Sequence, residues 1–444
     1  MADAMVFPPR VLRCIDALEQ AGFACYAVGG CVRDALLGLS PQDYDLCTNA
    51  RPEQIKAVFS GDQVVLTGEK HGTVGVVTGE GVVEITTFRT EGDYADRRHP
   101  GWVQFEDEIT ADLSRRDFTI NAMACSPTRP LADPFGGQAD LRSGILRTVG
   151  APDRRFEEDA LRILRGVRFA VRYRLHVEDA TFRAMCAQAA QMEALAPERV
   201  FSELCKLLPL VSAADLLEFS PIFAQAVPEL RPTIGFDQHS PHHGYPLYTH
   251  IAHVTQAVPP TLPLRWAALL HDIGKVPTCC LDENGRGHFR NHAAVSAEMS
   301  DAVLRRLRAP NALREQVVFL VKHHMDPLEA DRQKLRRRLS RWGEESLRQL
   351  LALQRADAGS KGVPADLSEF DRAEAALSDI LAEGACLTVG QLAVDGYDMM
   401  ALGLQGRQIG DALRFLLEQV LAERIPNEKS ALTAALRKEK SFWR

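Results

Sequence analysis

The pattern of apolar and polar positions divides the start of the chain into short alternating elements. Apolar residues at helical spacing across residues 8–22 predict a covering helix, and the apolar run at residues 25–28 predicts a strand. A glycine pair at residues 29–30 ends this run, and the leucine-rich residues 33–38 follow. This order predicts a strand, a tight glycine turn and a helix.

The next strand-like run contains two aspartates, Asp43 and Asp45, separated by one residue. Because residues i and i+2 of an extended chain point to the same face, the two carboxylates converge. Carboxylates this close repel each other, and an element that brings them together usually binds a divalent cation. The glycine turn offers backbone N–H groups that suit a polyphosphate. Together the two motifs predict a site for a nucleoside triphosphate and magnesium; each alone is typical of an ordinary turn or a solvated strand end.

Three β-branched runs at residues 64–68, 73–78 and 82–88 predict a small sheet, and hence an α+β head. Glu84 lies in the last run and is equally consistent with a third metal-binding carboxylate and with a solvent-facing strand residue. The polar residues 90–103 form a long loop, which we interpret as a candidate lid.

Two arginines, Arg115 and Arg116, precede what reads as an apolar helix within residues 112–124. Guanidinium groups at that place suit a triphosphate, because they are planar and permanently charged donors. A solvated first turn of a helix explains the same pair.

Sustained helix is predicted from residue 155, and in it Asp159, Arg162, Arg165 and Arg168 recur every three residues. On a helix of about 100° per residue the first three share one third of the circumference, and Arg168 drifts away. Asp159 only accepts hydrogen bonds and Arg162 only donates them, so the pair matches the amine and ring nitrogen that cytosine and adenine share. Uracil or guanine would leave these groups unpaired, at a cost of about 1–3 kcal/mol each. An exposed helix with Glu–Arg pairs explains the same pattern.

Histidines concentrate in the second half of the chain. His271 and Asp272 stand side by side at the end of an apolar helical pattern, and His250 and Asp357 lie in other such patterns. Buried imidazoles and carboxylates are costly unless they are paired or bound to a metal. A set of His and Asp favours manganese, nickel or iron over a thiolate zinc site.

The amino-acid composition limits the class of protein and its expected location. With 444 residues, 46% apolar and 25% charged, the sequence predicts a globular protein of about three or four domains. It contains no apolar run of about eighteen residues and no signal-peptide core, so we expect a cytosolic protein without a membrane span.

The net charge of −7 argues against indiscriminate coating of nucleic acid. The arginine-rich residues 332–341 are equally consistent with a grip on RNA phosphates and with a solvated helix face. Nothing in the sequence specifies an oligomeric state.

Several segments resemble, in order, the class II tRNA nucleotidyltransferase and bacterial poly(A) polymerase family: GGCVRDALLG with DYD, VEITTFR, DLSRRDFTINAMA, DPFGGQADL and EEDALRILRGVRFA. The resemblance implies an α+β, polymerase-β-like nucleotidyltransferase head followed by a mostly α-helical remainder. It also implies that Asp43 and Asp45 hold magnesium. The residues implied to bind the nucleotide are Gly30, Arg33 and Arg116 for the triphosphate, Asp159 and Arg162 for the base of CTP or ATP, and Arg165 and Arg168 as helpers.

The histidine pattern resembles the HD phosphohydrolase superfamily. The resemblance implies a first metal on His250, His271, Asp272 and Asp357, and a second metal or the phosphate on His292 and one of His323 or His324. An HD fold that kept its histidines without activity is the alternative. We therefore expect a head at residues 1–150, a helical neck with base recognition at 151–232, an HD domain at 233–370 and a tRNA-binding tail at 371–444.

The family adds C, C and A to the 3′ end of tRNA from CTP and ATP, without a nucleic-acid template and with release of pyrophosphate. This is the activity we expect. Poly(A) synthesis and partial addition of only CC or only A are the close alternatives, and the full-looking loop between Arg89 and Asp112 leans towards complete addition. A different class of alternative is a metal-dependent phosphohydrolase whose head serves as an RNA-binding module.

Overall fold

The computed structural model describes residues 5–92 and 102–438. The chain forms two compact units, Met1–Val211 with Glu218–Pro228 and Ser212–Leu217 with Glu229–Arg444. None of the described helices is long and apolar enough to cross a membrane. The four predicted domain boundaries stay predictions.

The strands of the first unit are β1 (Cys25–Val28), β2 (Asp45–Thr48), β3 (Val64–Val65), β4 (Thr73–Thr78), β5 (Gly81–Thr87), β6 (Arg89–Gly92), β7 (Trp102–Phe105), β8 (Ala124–Ser126), β9 (Arg129–Ala132), β10 (Ile145–Leu146) and β11 (His176–Val177). Seven of them form a mixed sheet in the order β3-β4-β5-β2-β1-β8-β9. Within this sheet β2 and β5 run parallel, and the other described pairs are antiparallel.

The helices up to residue 226 are α1 (Pro9–Gln20), α2 (Gly30–Leu36), α3 (Pro52–Val58), α4 (Ile109–Ser114), α5 (Gly137–Ser143), α6 (Pro152–Glu158), α7 (Leu161–Tyr173), α8 (Asp179–Gln188), α9 (Pro197–Leu207), α10 (Ala213–Glu218) and α11 (Ser220–Ala226). The apolar side of α1 packs on one face of the sheet, where Ile15 and Leu18 are buried with Leu46 and Ile85. The opposite face buries Cys47 and Phe88. The predicted α+β head and the covering helix are confirmed.

The second unit is almost entirely helical. Besides one hairpin of β12 (Cys279–Leu281) and β13 (Gly287–Phe289), it contains α12 (Leu247–Ala257), α13 (Leu262–Leu270), α14 (Lys275–Thr278), α15 (His292–Arg306), α16 (Asn311–His323), α17 (Arg332–Trp342), α18 (Glu344–Gly359), α19 (Ser368–Ala382), α20 (Gly396–Ala401), α21 (Arg407–Leu421) and α22 (Lys429–Lys438). Short 3₁₀ helices complete the chain at Glu69–His71, Thr119–Asn121, Ala189–Ala194, Pro228–Thr233 and Val389–Gln391.

Two local predictions were wrong, and a third is changed at its ends. Residues 112–124 do not form an apolar helix, because α4 ends at Ser114 and a 3₁₀ turn and a strand follow. The helix predicted from residue 155 is broken at Asp159, whose backbone is extended (φ −150°, ψ 103°). The candidate lid is in part a hairpin, since β6 pairs with β7 at its base. Its central residues 93–101 lie outside the described part of the chain.

Candidate active site and metal centre

The glycine turn forms one wall of a cavity in the first unit. Gly29 has φ 74°, in the left-handed region, and a Cβ atom there would lie 2.7 Å from Arg116 Nη1. A side chain at this position would therefore displace the arginine. Helix α2 begins at Gly30 and buries Arg33, whose Nη1 donates to Asn121 Oδ1 at 2.5 Å and whose guanidinium lies 4.3 Å from the centre of the Tyr173 ring. Arg33 is thus held in one orientation before any ligand binds.

The two aspartates lie beside this turn. Asp45 opens β2, and Asp43 precedes the strand, so only one of them belongs to it. Although the Asp45 side chain remains open to solvent, desolvation in its recess raises its pKa; Arg116 opposes the rise and Asp43 adds to it. Glu84 is the register partner of Asp45 on β5 and is exposed. Paired residues on neighbouring strands share a face, so Glu84 stands next to the pair, and its role as a ligand stays a prediction.

An ion-pair cluster supports the two arginines. The carboxylate of Asp112, which is buried, accepts from Arg115 Nη2 at 2.8 Å and from Arg116 Nη2 at 3.2 Å. Burial alone would raise the pKa of Asp112, but the two guanidinium groups outweigh it and lower the pKa. Arg115 also donates to Glu91 at 2.5 Å, so its charge is engaged on both sides.

The helix break positions the predicted base-reading pair. Asp159 Oδ1 accepts from the backbone N–H of Leu161 at 3.0 Å, which caps the start of α7, and its Oδ2 accepts from Arg199 Nη2 at 2.8 Å. Arg162 donates to Glu158 at 2.7 Å and to the carbonyl oxygen of Arg115 at 3.1 Å. Both side chains are therefore fixed by neighbours on different elements.

The two further arginines of α7 differ from each other. Arg165 donates to Asp117 Oδ2 at 2.7 Å, at the cavity wall. Arg168 does not line the cavity; its Nε donates to Glu203 of α9 at 2.7 Å. The helical drift of Arg168 carries it to this neighbouring helix instead of the nucleotide side, and its role in nucleotide binding stays a prediction.

One cavity of about 460 Å³ brings most of these groups together. The predicted residues that line it are Gly30, Arg33, Asp45, Arg116, Asp159, Arg162 and Arg165, and the lining residues not singled out as site residues include Asp117, Asn121, Phe169 and Arg199. Asp117 and Asn121 lie in a run of buried residues that includes Ile120. Polar residues within such a run indicate a functional role, and this pattern could have identified both from the sequence. Arg199 carries no local signal, because its partner Asp159 lies 40 residues away.

The ion pair between the buried Asp117 and the half-buried Arg165 should make a pH-dependent contribution to stability. Burial alone would raise the pKa of Asp117, but Arg165 and the Asn121 amide outweigh it and lower the pKa to about 2. The ordinary value is about 3.9, so the pair contributes roughly 2 kcal/mol above pH 4, and this is lost as the pH falls through about 2. In urea unfolding, the gap between wild type and Asp117→Asn should shrink over that range. The exposed Asp107→Asn should show almost no gap at any pH, and a constant gap for Asp117→Asn would refute the assignment.

The second unit contains a cluster of histidines around Asp272. The four Nε2 atoms of His250, His271, His292 and His324 lie 3.2–3.6 Å from an oxygen of this carboxylate. In each ring the other nitrogen, Nδ1, lies 2.6–3.0 Å from a backbone carbonyl oxygen, to which it can donate. That bond selects the tautomer whose Nε2 lone pair is free for a metal ion.

The donor set fits one or two divalent cations. Two groups meet the geometry for a metal ion, His250 with His271 and Asp272, and Asp272 with His292 and His324. Among the described residues neither oxygen of Asp272, which is 1% exposed, has a hydrogen-bond partner, and neither does His292 Nε2; Oδ2 has an ion-pair contact with Lys275 Nζ at 2.8 Å. Asp357 Oδ1 lies 3.0 Å from His250 Nε2 and extends the first group. Buried polar atoms left unsatisfied in this way are expected where a cation binds.

Of the adjacent pair His323 and His324, the second belongs to the cluster. His324 is buried, whereas His323 Nδ1 lies 2.7 Å from Asp326 Oδ2 nearer the surface. Gly274, just after the His-Asp pair, allows close packing, because a Cβ atom there would lie 2.6 Å from the backbone nitrogen of Ser296.

The arginine-rich helix α17 is mostly engaged in ion pairs. Arg332 and Arg336 bind Glu383 and Glu423, and Arg337 lies 3.5 Å from Glu418. These pairs favour the interpretation of α17 as a solvated, paired face over a free grip for RNA phosphates.

Comparisons with known proteins agree with both centres. The family model "Poly A polymerase head domain" matches residues 25–147, "Probable RNA and SrmB- binding site of polymerase A" matches 174–232, and "HD domain" matches 251–360. The class of protein is therefore a nucleotidyltransferase with a poly(A) polymerase type of head and an HD domain. Both domains imply the use of divalent metal ions.

The chain belongs to the CCA-adding enzyme family, which confirms the resemblance drawn from the sequence. It is 34% identical to a CCA-adding enzyme of Levilactobacillus brevis over 95% of this chain and 96% of that protein. It is 42% identical to one of Ligilactobacillus salivarius over 51% of this chain and 58% of that protein, and similar alignments span about half the length of other relatives. The crystal structure of the Bacillus stearothermophilus CCA-adding enzyme in complex with CTP has a TM-score of 0.69 and 27% identity, over 98% of this chain and 99% of that one.

Proposed function

We propose that this protein adds C, C and A to the 3′ end of tRNA, using CTP and ATP and releasing pyrophosphate. One observation carries the proposal: a single cavity is lined by Asp45, by the glycine turn and by the pair Asp159 and Arg162. One nucleotide can then contact three groups: the metal-binding carboxylate of Asp45, the phosphate-binding glycine turn, and the base-selecting pair Asp159 and Arg162. The cytosolic location expected from the sequence stays a prediction.

In this mechanism Asp43 and Asp45 hold Mg²⁺, with Glu84 adjacent. The ion supplies charge neutralisation at the α-phosphate and activation of the attacking 3′-hydroxyl. Arg33 and Arg116, with the backbone at Gly30, bind and orient the triphosphate. Because Asn121 and Tyr173 already hold Arg33, little side-chain entropy is lost when the phosphates bind.

The base is selected by Asp159 and Arg162. Each oxygen of the Asp159 carboxylate has two acceptor sites, and the bonds from Leu161 and Arg199 leave acceptor capacity for an exocyclic amine. Arg162 donates to the neighbouring ring nitrogen. Uracil and guanine present a carbonyl where cytosine and adenine present the amine, so they are rejected.

A direct assay separates the related activities. The full-length protein is incubated with tRNA that lacks its last three nucleotides and with each labelled triphosphate, singly and mixed. We expect two cytidines followed by one adenosine and then arrest. Long adenosine tails would identify a poly(A) polymerase, and arrest after CC, or addition of A only to tRNA ending in CC, would identify a partial enzyme.

A second activity is proposed for the HD cluster, a metal-dependent phosphohydrolase using manganese, nickel or iron. The convergence of four Nε2 atoms on Asp272 favours it. With p-nitrophenyl phosphate and Mn²⁺ or Ni²⁺, wild type should release nitrophenol. His271→Ala should lose about 10²-fold or more of this rate together with bound metal, measured by elemental analysis. The exposed His242→Ala should retain both, and equal metal content in all three proteins would rule out the assigned ligands.

A further inference from the structure

Beside the histidine cluster lies a cavity of about 230 Å³ whose wall carries positive charge. Its lining includes three residues of the cluster, Asp272, His292 and Asp357, together with His243, Lys275 and Lys361. The two lysines differ in what they already bind. Lys275 Nζ lies 2.8 Å from Asp272 Oδ2 and donates to Gln238 Oε1 at 2.9 Å, so it is committed to holding the cluster.

Lys361 is the uncommitted cation of this wall. Within the described residues its ammonium group has no hydrogen-bond or ion-pair partner, and its side chain is partly buried at the cavity. A half-buried ammonium without a counter-ion is expected where an anionic ligand binds.

His243 offers a second unsatisfied group. Its Nδ1 is buried and has no hydrogen-bond partner in the described part of the chain. The ring lies 5.4 Å from the His250 ring and nearly perpendicular to it, which places it directly beside the metal-binding set. A bound oxygen anion would satisfy this nitrogen.

The backbone locks these two residues into one wall. The N–H of Gly244, next to His243, donates to the carbonyl oxygen of Lys361 at 2.7 Å. A Cβ atom at Gly244 would lie 2.7 Å from the carbonyl oxygen of Gly362, and Gly362 has φ 73° against the Tyr245 ring. The two segments approach closely only because both positions are glycine. His243 and Lys361 are therefore presented together.

We infer that Lys361 and His243 bind the phosphoryl oxygens of the substrate at the HD site and give it a preference for phosphomonoester dianions over phosphodiesters. The inference rests on the phosphohydrolase activity proposed above. A monoester carries about two negative charges near neutral pH and a diester carries one, so the attraction to the Lys361 ammonium is about twice as large for the monoester. The metal-binding residues Asp272, His292 and Asp357 line the same cavity.

The test compares Lys361→Met, Lys361→Arg and the control Lys322→Met, a lysine exposed on α16. For each full-length protein loaded with Mn²⁺, KM and kcat are measured with p-nitrophenyl phosphate and with bis(p-nitrophenyl) phosphate. Lys361→Met should raise the monoester KM about tenfold, the loss expected for one charge-assisted contact. The diester KM should rise only about threefold, because half as much attraction is lost, Lys361→Arg should recover most of the loss, and Lys322→Met should match wild type. An equal loss on both esters, or none, would overturn the inference.

Binding of inorganic phosphate to the same Mn²⁺-loaded proteins, measured by calorimetry, separates this inference from the activity on which it rests. Tighter phosphate binding by wild type than by Lys361→Met and His243→Phe supports the inference that these two residues bind phosphoryl oxygens. If neither ester is hydrolysed in that case, only the phosphohydrolase proposal fails. Equal phosphate affinity for all three proteins contradicts the inference about Lys361 and His243, even if wild type is an active phosphohydrolase.

Discussion

Replacing Asp45 with alanine should abolish nucleotide transfer and leave tRNA binding unchanged. The carboxylate stands at the opening of β2, beside Asp43 and within the electrostatic reach of Arg116. In the proposed mechanism the divalent ion then loses a ligand at the α-phosphate, and stabilisation of charge that develops in the transition state is usually the largest catalytic contribution. We expect a loss of roughly a thousandfold or more in kcat, measured as labelled CTP incorporated into truncated tRNA. Asp43→Ala should behave in the same way.

The matched control is Asp16→Ala, which removes an exposed carboxylate from α1 of the same unit. It should transfer nucleotides as wild type does. Binding of tRNA, measured by filter retention, should be equal for all variants, because in the proposed mechanism the metal site acts only on the reacting 3′ end. Substantial transfer by Asp45→Ala would remove that residue from the catalytic assignment.

Replacing the carboxylate of Asp159 with an amide should alter which base the protein accepts. Asp159→Asn keeps an oxygen for the Leu161 N–H, so the cap of α7 survives. It replaces the second oxygen, which accepts from Arg199 Nη2, by an N–H donor, so the bond from Arg199 is lost. That donor no longer matches the amine of cytosine, and it suits the carbonyl of uracil. We expect the ratio of kcat/KM for CTP over UTP to fall roughly 10- to 100-fold, the cost of one or two unpaired buried groups.

Arg162→Ala should reduce incorporation of CTP and ATP together, since its guanidinium serves both bases. Arg154→Ala is the control, because Arg154 lies on α6 close to the same Glu158 and is exposed, with 78% of its side-chain surface accessible. It should leave the CTP to UTP ratio unchanged. If Asp159→Asn and Arg162→Ala reject UTP as strictly as wild type, base choice does not reside in this pair.

Parts of the fold and site followed from local patterns. The apolar run of β1, the glycine turn and the apolar stripe of α1 were predictable because each element is specified by residues within one or two turns. The Glu158 to Arg162 contact also followed from spacing. The break at Asp159 did not, because charged residues lie on both sides of it and the three-residue recurrence begins there. Extended geometry there is supported by Leu161 and by Arg199, which lies far along the chain.

Contacts between residues far apart in the sequence determine the side-chain partners that the sequence could not predict. Arg165 meets Asp117 across 48 residues, and Arg168 meets Glu203 across 35, so helical geometry alone could not identify these partners. Adjacent histidines at the end of a helix point about 100° apart, so only one of His323 and His324 can face the cluster. Packing of α16 against α13 and α15 selects His324.

The most direct test of the central claim is a crystal structure of this protein with CTP and a divalent cation. The account predicts one nucleotide in the cavity of the first unit, with its phosphates at Gly30, Arg33 and Arg116 and the cation between them and Asp43 and Asp45. The Watson–Crick edge of the cytosine should contact Asp159 and Arg162. A cytosine turned away from that pair while the phosphates sit on the metal would contradict the account.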